Sequence, residues 1–210
     1  RYRIAFNGPG GHSWGAFGLV NPAHAMSRAV RYFQDIADTL TRNGARTSYN
    51  VGRIGGGTSV NSIPAETWME VDMRSESPES LDRIEQIFLD AMSRGLNEEN
   101  RLRRSGGPLT LENRKVGDRP SGSLESSLPL IQRALATTAV FGVSGELARS
   151  STDSNIPIAQ GVPAVTIGRG GVGGEGHSPG EWWINRDGHL AIQRALLLVV
   201  AEAGLANPIS

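Results

Sequence analysis

The 210-residue chain has no cysteine. That absence removes a disulfide-stapled fold, a thiolate nucleophile and a Cys-ligated zinc site together, and it is compatible with a reducing cytoplasm, the compartment expected here. The chain also lacks any surplus of charge, with 21 Lys and Arg against 21 Asp and Glu. A net charge of zero sets up no long-range field that would gather nucleic acid or an anionic membrane, so neither partner is expected. The densest basic stretch is Arg101, Arg103 and Arg104, with Arg114, Lys115 and Arg119 beyond it. Glu98, Glu99, Glu112 and Asp118 interrupt it, and it reads as a solvated face. The longest apolar run, Ala195–Ala201, falls far short of the ~20 residues that a membrane span needs. Arg1 opens directly into a strand-like pattern instead of a signal peptide, the expectation for a piece cut from a longer protein.

Metal motifs are missing as well: the sequence holds no HExxH, no HxH and no cluster of His, Asp and Glu. Catalytic zinc needs three protein ligands and an open position. Either the function is independent of metal or the other ligands lie outside this sequence. A dinucleotide reading of Gly168–Gly173, GRGGVG, fails in context, because the following EGHSPGE is a poor helix start and Asp187 lies on no second strand.

What is present is a clear alternation of periods. Tyr2–Asn7 alternates like a strand and runs into the glycine-rich loop GPGGHSWGAFG. Asn21 and Pro22 then supply a cap and a first-turn proline for a helix whose stripe is Met26, Ala29, Val30, Phe33, Ile36, Ala37 and Leu40. Period two returns over residues 46–54 and 66–74, with Met69, Val71 and Met73 on one face and Trp68, Glu70, Asp72 and Arg74 on the other. Ser77 and Pro78 start a second helix with the stripe Leu81, Ile84, Ile87, Phe88, Ala91 and Met92, and residues 109–116 form a further strand. The order β-α-β-β-α-β predicts an α+β unit over residues 1–117, a four-stranded antiparallel sheet with both helices on one face. Beyond a polar linker at residues 118–127, the sequence predicts a helix at 128–138, strands at 145–149 and 164–168, and a final helix capped by Asn185. Two strands are too few for a covered parallel sheet, so residues 118–210 read as an incomplete α/β segment.

Four histidines bear on chemistry. His24 and His189 lie within helical patterns and read as structural or surface residues. His12 and His177 each sit in a glycine-rich loop after a strand, where side chains project over a site. For His12 alone, a local hydrogen-bonding role stands beside the functional one. His177 has Glu175 and Glu181 close by in sequence, and imidazole is a common zinc ligand.

The segments GPGGHS with NPAHAM, GGTSVNSIPAETWMEVDMRS, SSTDSNIPIAQGVPAVTIG and GGEGHSPGEWW occur in an order and spacing that resembles a family of zinc exopeptidases and deacylases. That family includes aminoacylase, peptidase T, acetylornithine deacetylase, succinyl-diaminopimelate desuccinylase and glutamate carboxypeptidase. The resemblance implies a lid (1–117) that forms a homodimer, followed by the C-terminal part (118–210) of a catalytic domain that holds two zinc ions and whose front half is absent. It implies that His12 reaches into the partner subunit's active site and polarises the scissile carbonyl. It further implies that Asn61 and Arg74 bind a peptide or N-acyl amino acid, Arg74 through a carboxylate, and that His177 is a zinc ligand. An arginine fork suits a carboxylate two-pronged where lysine does not. The plainer readings stay open: Asn61 as a turn residue, and Arg74 paired with Asp72 or Glu76. The family's H-x-D motif, bridging aspartate and Glu-Glu pair are not here, so the alternative to an enzyme fragment is a free-standing dimerisation or binding module.

Overall fold

A computed structural model of the chain describes residues 1–205. It divides into two compact units, Arg1–Asp118 and a second beginning at Arg119. In the first, strand β1 (Tyr2–Asn7) is followed by the two-residue strand β2 (Gly11–His12) and helix α1 (Pro22–Thr41). Asn21 caps α1 from an extended backbone, its side chain accepting the Ala23 N–H at 2.9 Å. Strand β3 (Thr47–Gly56), the short β4 (Ser62–Ile63) and β5 (Glu66–Ser75) follow. Ser77 then caps α2 (Pro78–Arg101) by accepting the Ser80 N–H, and β6 (Thr110–Lys115) completes the unit. The sheet runs β3-β5-β1-β6 with every pairing antiparallel, as the alternating pattern predicts.

The core lies between one face of this sheet and the two helices. Ile4, Phe6, Met69 and Val71 from the strands meet Phe33 of α1 and Phe88 of α2, whose rings pack edge to face at 5.1 Å. Full burial of each such side chain contributes ~1.5–3 kcal/mol relative to exposure. The helices approach closely because position 95 has no side chain: a Cβ on Gly95 would stand 2.7 Å from the Ala29 Cβ. All three tyrosines tie these layers together through helix carboxylates. Tyr2 donates to Glu85 of α2, Tyr49 to Asp38 of α1, and Tyr32 to Glu98 between the helices. One stripe residue departs from expectation: Ile36 is 49% exposed, since Ala37 and not Ile36 turns into the core.

The second unit holds helices α3 (Pro129–Ala139), α4 (Asn155–Ala159) and α5 (Gly188–Ala203), and a hairpin of β7 (Val172–Gly174) with β8 (Trp182–Ile184). Arg133 of α3 and Glu202 of α5 pair at 2.7 Å. The strands expected at 145–149 and 164–168 do not form: neither segment has a ladder partner, and an extended segment without one is not a strand. The cap of α5 is Asp187, in a left-handed conformation, and not Asn185. Trp182, Trp183, Ile192, Leu196 and Val199 are all exposed. Among the described residues no helix is long and apolar enough to cross a membrane.

Candidate functional site

The GPGGHS and GGTSVNSIP segments, far apart in sequence, meet beyond one end of the sheet. Asn7 and Glu66 are the last paired residues of β1 and β5 at that end, and the Gly8 N–H donates to the Ala65 carbonyl at 2.8 Å. The two emerging chains then pair again as β2 and β4, with Gly11 opposite Ile63 and His12 opposite Ser62. One residue further on, the Ser13 N–H donates to the Asn61 carbonyl at 2.9 Å. His12 and Asn61 are therefore brought close along the backbone, one residue out of register, and both are exposed.

The His12 ring is oriented by its own loop. Its Nδ1 accepts the backbone N–H groups of Trp14 and Gly15 at 3.2 and 3.3 Å. An imidazole that accepts at Nδ1 carries its proton on Nε2, so the outward nitrogen is a donor. Asn61 accepts at Oδ1 from the Ser59 hydroxyl, which leaves its NH2 group as a second outward donor. The local hydrogen-bonding role for His12 is thus present, and it aims the ring.

Arg74 lies elsewhere. It faces Ser48 across β5 and β3, eight residues along β5 from Glu66. At roughly 3.3 Å per residue this is about 26 Å from the His12 end. Arg74 Nε donates to Asp72 at 2.6 Å, and Arg1 holds the other Asp72 oxygen at 2.7 Å. Burial pushes the Asp72 carboxyl up, but the bonds from Arg1 and Arg74 outweigh it and hold the group below its usual value. Along the same open face Trp68 lies beneath the Arg3 guanidinium at 4.1 Å, and Glu70 receives both Arg3 and Arg53. The sequence-predicted group thus splits, with His12 and Asn61 together and Arg74 at the opposite end.

In the second unit, His177 occupies the loop of the β7–β8 hairpin. Glu175 and His177 both take left-handed backbone angles, φ +54° and +65°, which non-glycine residues adopt only where the surroundings hold them. The His177 N–H donates to the Glu181 carboxylate at 3.1 Å. An open recess of about 340 Å³ beside it is lined by Arg169, Glu181, Trp182 and Trp183. Among the described residues no three His, Cys, Asp or Glu side chains gather as a metal-binding group. The residues present do not fit a metal site by themselves.

Residues 1–100 match the family described as the peptidase dimerisation domain. That part of the chain is similar to a peptidase dimerisation domain. The fold of the whole chain is similar to a tripeptidase from Staphylococcus aureus subsp. aureus mu50, at TM-score 0.69 and 18% identity, over 96% of this chain and 51% of that one. It is also similar to aminopeptidase PepT from Bacillus cereus, at TM-score 0.62 and 21% identity, over 95% and 49%. A hydantoinase/carbamoylase family amidase from Burkholderia ambifaria matches at TM-score 0.56 and 16% identity, over 98% and 47%. The chain therefore spans about half the length of these structures. No curated protein sequence matches it.

The sequence alone did not disclose the β2–β4 pair, because two-residue strands in glycine-rich loops carry no period. It does hold two G-x-S-x-G strings, at Gly11–Gly15 and Gly176–Gly180. Neither is a nucleophile elbow: Ser13 leaves β2 into a turn, Ser178 lies in a hairpin loop, and no helix starts at either.

Proposed function

We propose that this chain supplies the dimerisation lid and the last part of the catalytic domain of a dimeric zinc-dependent amidohydrolase or exopeptidase. Its substrate is a peptide or N-acyl amino acid. The observation that carries the reading is the β2–β4 pair, in which His12 lies opposite Ser62 and Asn61 follows one residue outside the ladder, so that two exposed N–H donors are held on one mini-sheet. Hydrolysis of an amide places negative charge on the carbonyl oxygen, and a donor fixed before the reaction stabilises that charge without reorganising. His12 Nε2–H serves this role, and Asn61 helps to hold the same end of the substrate.

The separation of Arg74 supports a site assembled from two copies. A single lid cannot present His12 and Arg74 to one small substrate across about 26 Å. In a two-fold dimer, however, the His12 end of one copy can lie against the Arg74 end of the other. Arg74 then binds the substrate carboxylate with its Nη groups while Asp72 holds Nε. His177 is one metal ligand, and the remaining ligands and the base come from residues outside this sequence. The exposed Trp182, Trp183, Ile192 and Leu196 are covered by the rest of that catalytic domain. Peptide and N-acyl amino acid hydrolysis by the full-length, metal-loaded protein tests the reading; a full-length protein with no amide hydrolysis would favour a binding module.

A further inference from the structure

Glu99 is the only charged side chain buried among the described residues, 5% exposed near the end of α2. The reading of the site gives it no task. Its Oε1 accepts the backbone N–H of Asn21 at 2.9 Å, and its Oε2 is paired with the Arg28 guanidinium. Asn21 is the residue at which the His12 loop ends and α1 begins. A cap residue's own N–H has no partner within its helix, so this bond to Glu99 is what holds the chain at that point. The same end of α2 grips the loop once more, since the Arg104 and Ser105 N–H groups both donate to the Gly18 carbonyl, at 3.0 and 3.3 Å. Between these anchors and β2 lie Trp14 and Gly15, whose amides aim the His12 ring.

We infer that Glu99 is a positioning residue for His12, acting through the Asn21 amide and the loop that Asn21 terminates. The inference rests on the proposed role of His12. The alternative is a buried ion pair that only stabilises the contact between α1 and α2.

Two substitutions separate reach from charge. Glu99→Gln keeps the length and an acceptor for Asn21. Glu99→Asp keeps the charge but is one methylene too short to hold both partners. In the full-length, metal-loaded enzyme, Glu99→Gln should keep kcat within about twofold of the unmodified enzyme. Glu99→Asp should lower it about 10-fold or more with KM unchanged, in line with the ~100-fold that a displacement of about 1 Å can cost. In a His12→Ala background Glu99→Asp should lower kcat no further, because residues that act through one another are not additive. Equal effects of the two variants, or an additive loss, would overturn the inference. If His12→Ala is slow while Glu99→Asp matches the unmodified enzyme, only the anchor is wrong. If His12→Ala itself turns over normally, the proposed function fails and the anchor with it. Should Glu99→Asp not fold, amide hydrogen exchange of the unmodified protein decides: protection of Asn21 equal to that of the α1 interior is expected, and fast exchange there would overturn the anchor.

Discussion

The backbone N–H of Ser13 donates to the carbonyl of Asn61 at 2.9 Å, and through this bond two loops 48 positions apart in sequence bring the backbones at His12 and Asn61 together. The pairing extends the main sheet's order past its last rung, between Asn7 and Glu66. It gives the two side chains a rigid base where loops alone would leave them free to diverge.

Removing the His12 donor should therefore cost rate more than binding. In the full-length enzyme His12→Ala is expected to lower kcat by about 100- to 1000-fold, or ~2.7–4 kcal/mol, with KM little changed. Steady-state kinetics on a good peptide substrate give both constants; an unchanged kcat contradicts the role.

Arg74→Ala should act on the other constant, raising KM with a smaller effect on kcat, since a carboxylate clamp binds substrate and transition state alike. Arg74→Lys should not restore KM, because lysine cannot offer the planar fork. A substrate analogue lacking the carboxylate should lose its dependence on residue 74, and equal sensitivity with or without that carboxylate counts against the clamp.

The tyrosine ties predict an alkaline limit to stability. Burial and the bond to Asp38 push the Tyr49 phenol up to about 12, and the Tyr2 and Tyr32 phenols are also raised, Tyr2 mainly by burial and Tyr32 mainly by its bond to Glu98. A group whose pKa is higher in the folded state adds stability that is complete below its unfolded value, near 10, and is lost as pH rises through the folded value. The thermal midpoint of residues 1–118 should fall between pH 10 and about 12. Tyr49→Phe should flatten part of that fall, and an identical pH profile in the variant would show that the Asp38 bond contributes nothing.

Self-association should reside in the first unit. Both edges of its sheet, β3 and β6, are unpaired among the described residues, and such edges invite strand pairing with another copy. Sedimentation of residues 1–118 at micromolar concentration should show a dimer. A monomer there, or a dimer that needs residues after 120, contradicts the assignment.

Much of the first unit was legible because its signals are periodic. Met69, Val71 and Met73 alternate, Phe33 and Phe88 recur at helical spacing, and Asn21 and Ser77 each stand before a proline where a helix must start. The β2–β4 pair was not, since two residues cannot display a period and their pairing depends on where β1 and β5 end. The second unit misled for a physical reason. Residues 145–149 and 164–168 have strand-like composition, but a strand exists only with a neighbour to bond. The glycine-rich Val172–Gly174 does find one in Trp182–Ile184. At the site, the resemblance to a peptidase family pointed to His12, Asn61 and Arg74, yet their placement toward opposite ends of β5 required the register.

Mixing two disabled full-length enzymes tests the shared site most directly. His12→Ala and Arg74→Ala homodimers are each assayed at substrate well below KM, then mixed, exchanged and assayed again. If each site takes His12 from one copy and Arg74 from the other, a mixed dimer carries one intact site and one doubly disabled site. With about half of the dimers mixed, activity should recover to about a quarter of that of the unmodified enzyme. If His12 and Arg74 of the same copy serve one site, every site in the mixture still lacks one of them, and no recovery after exchange would contradict the account.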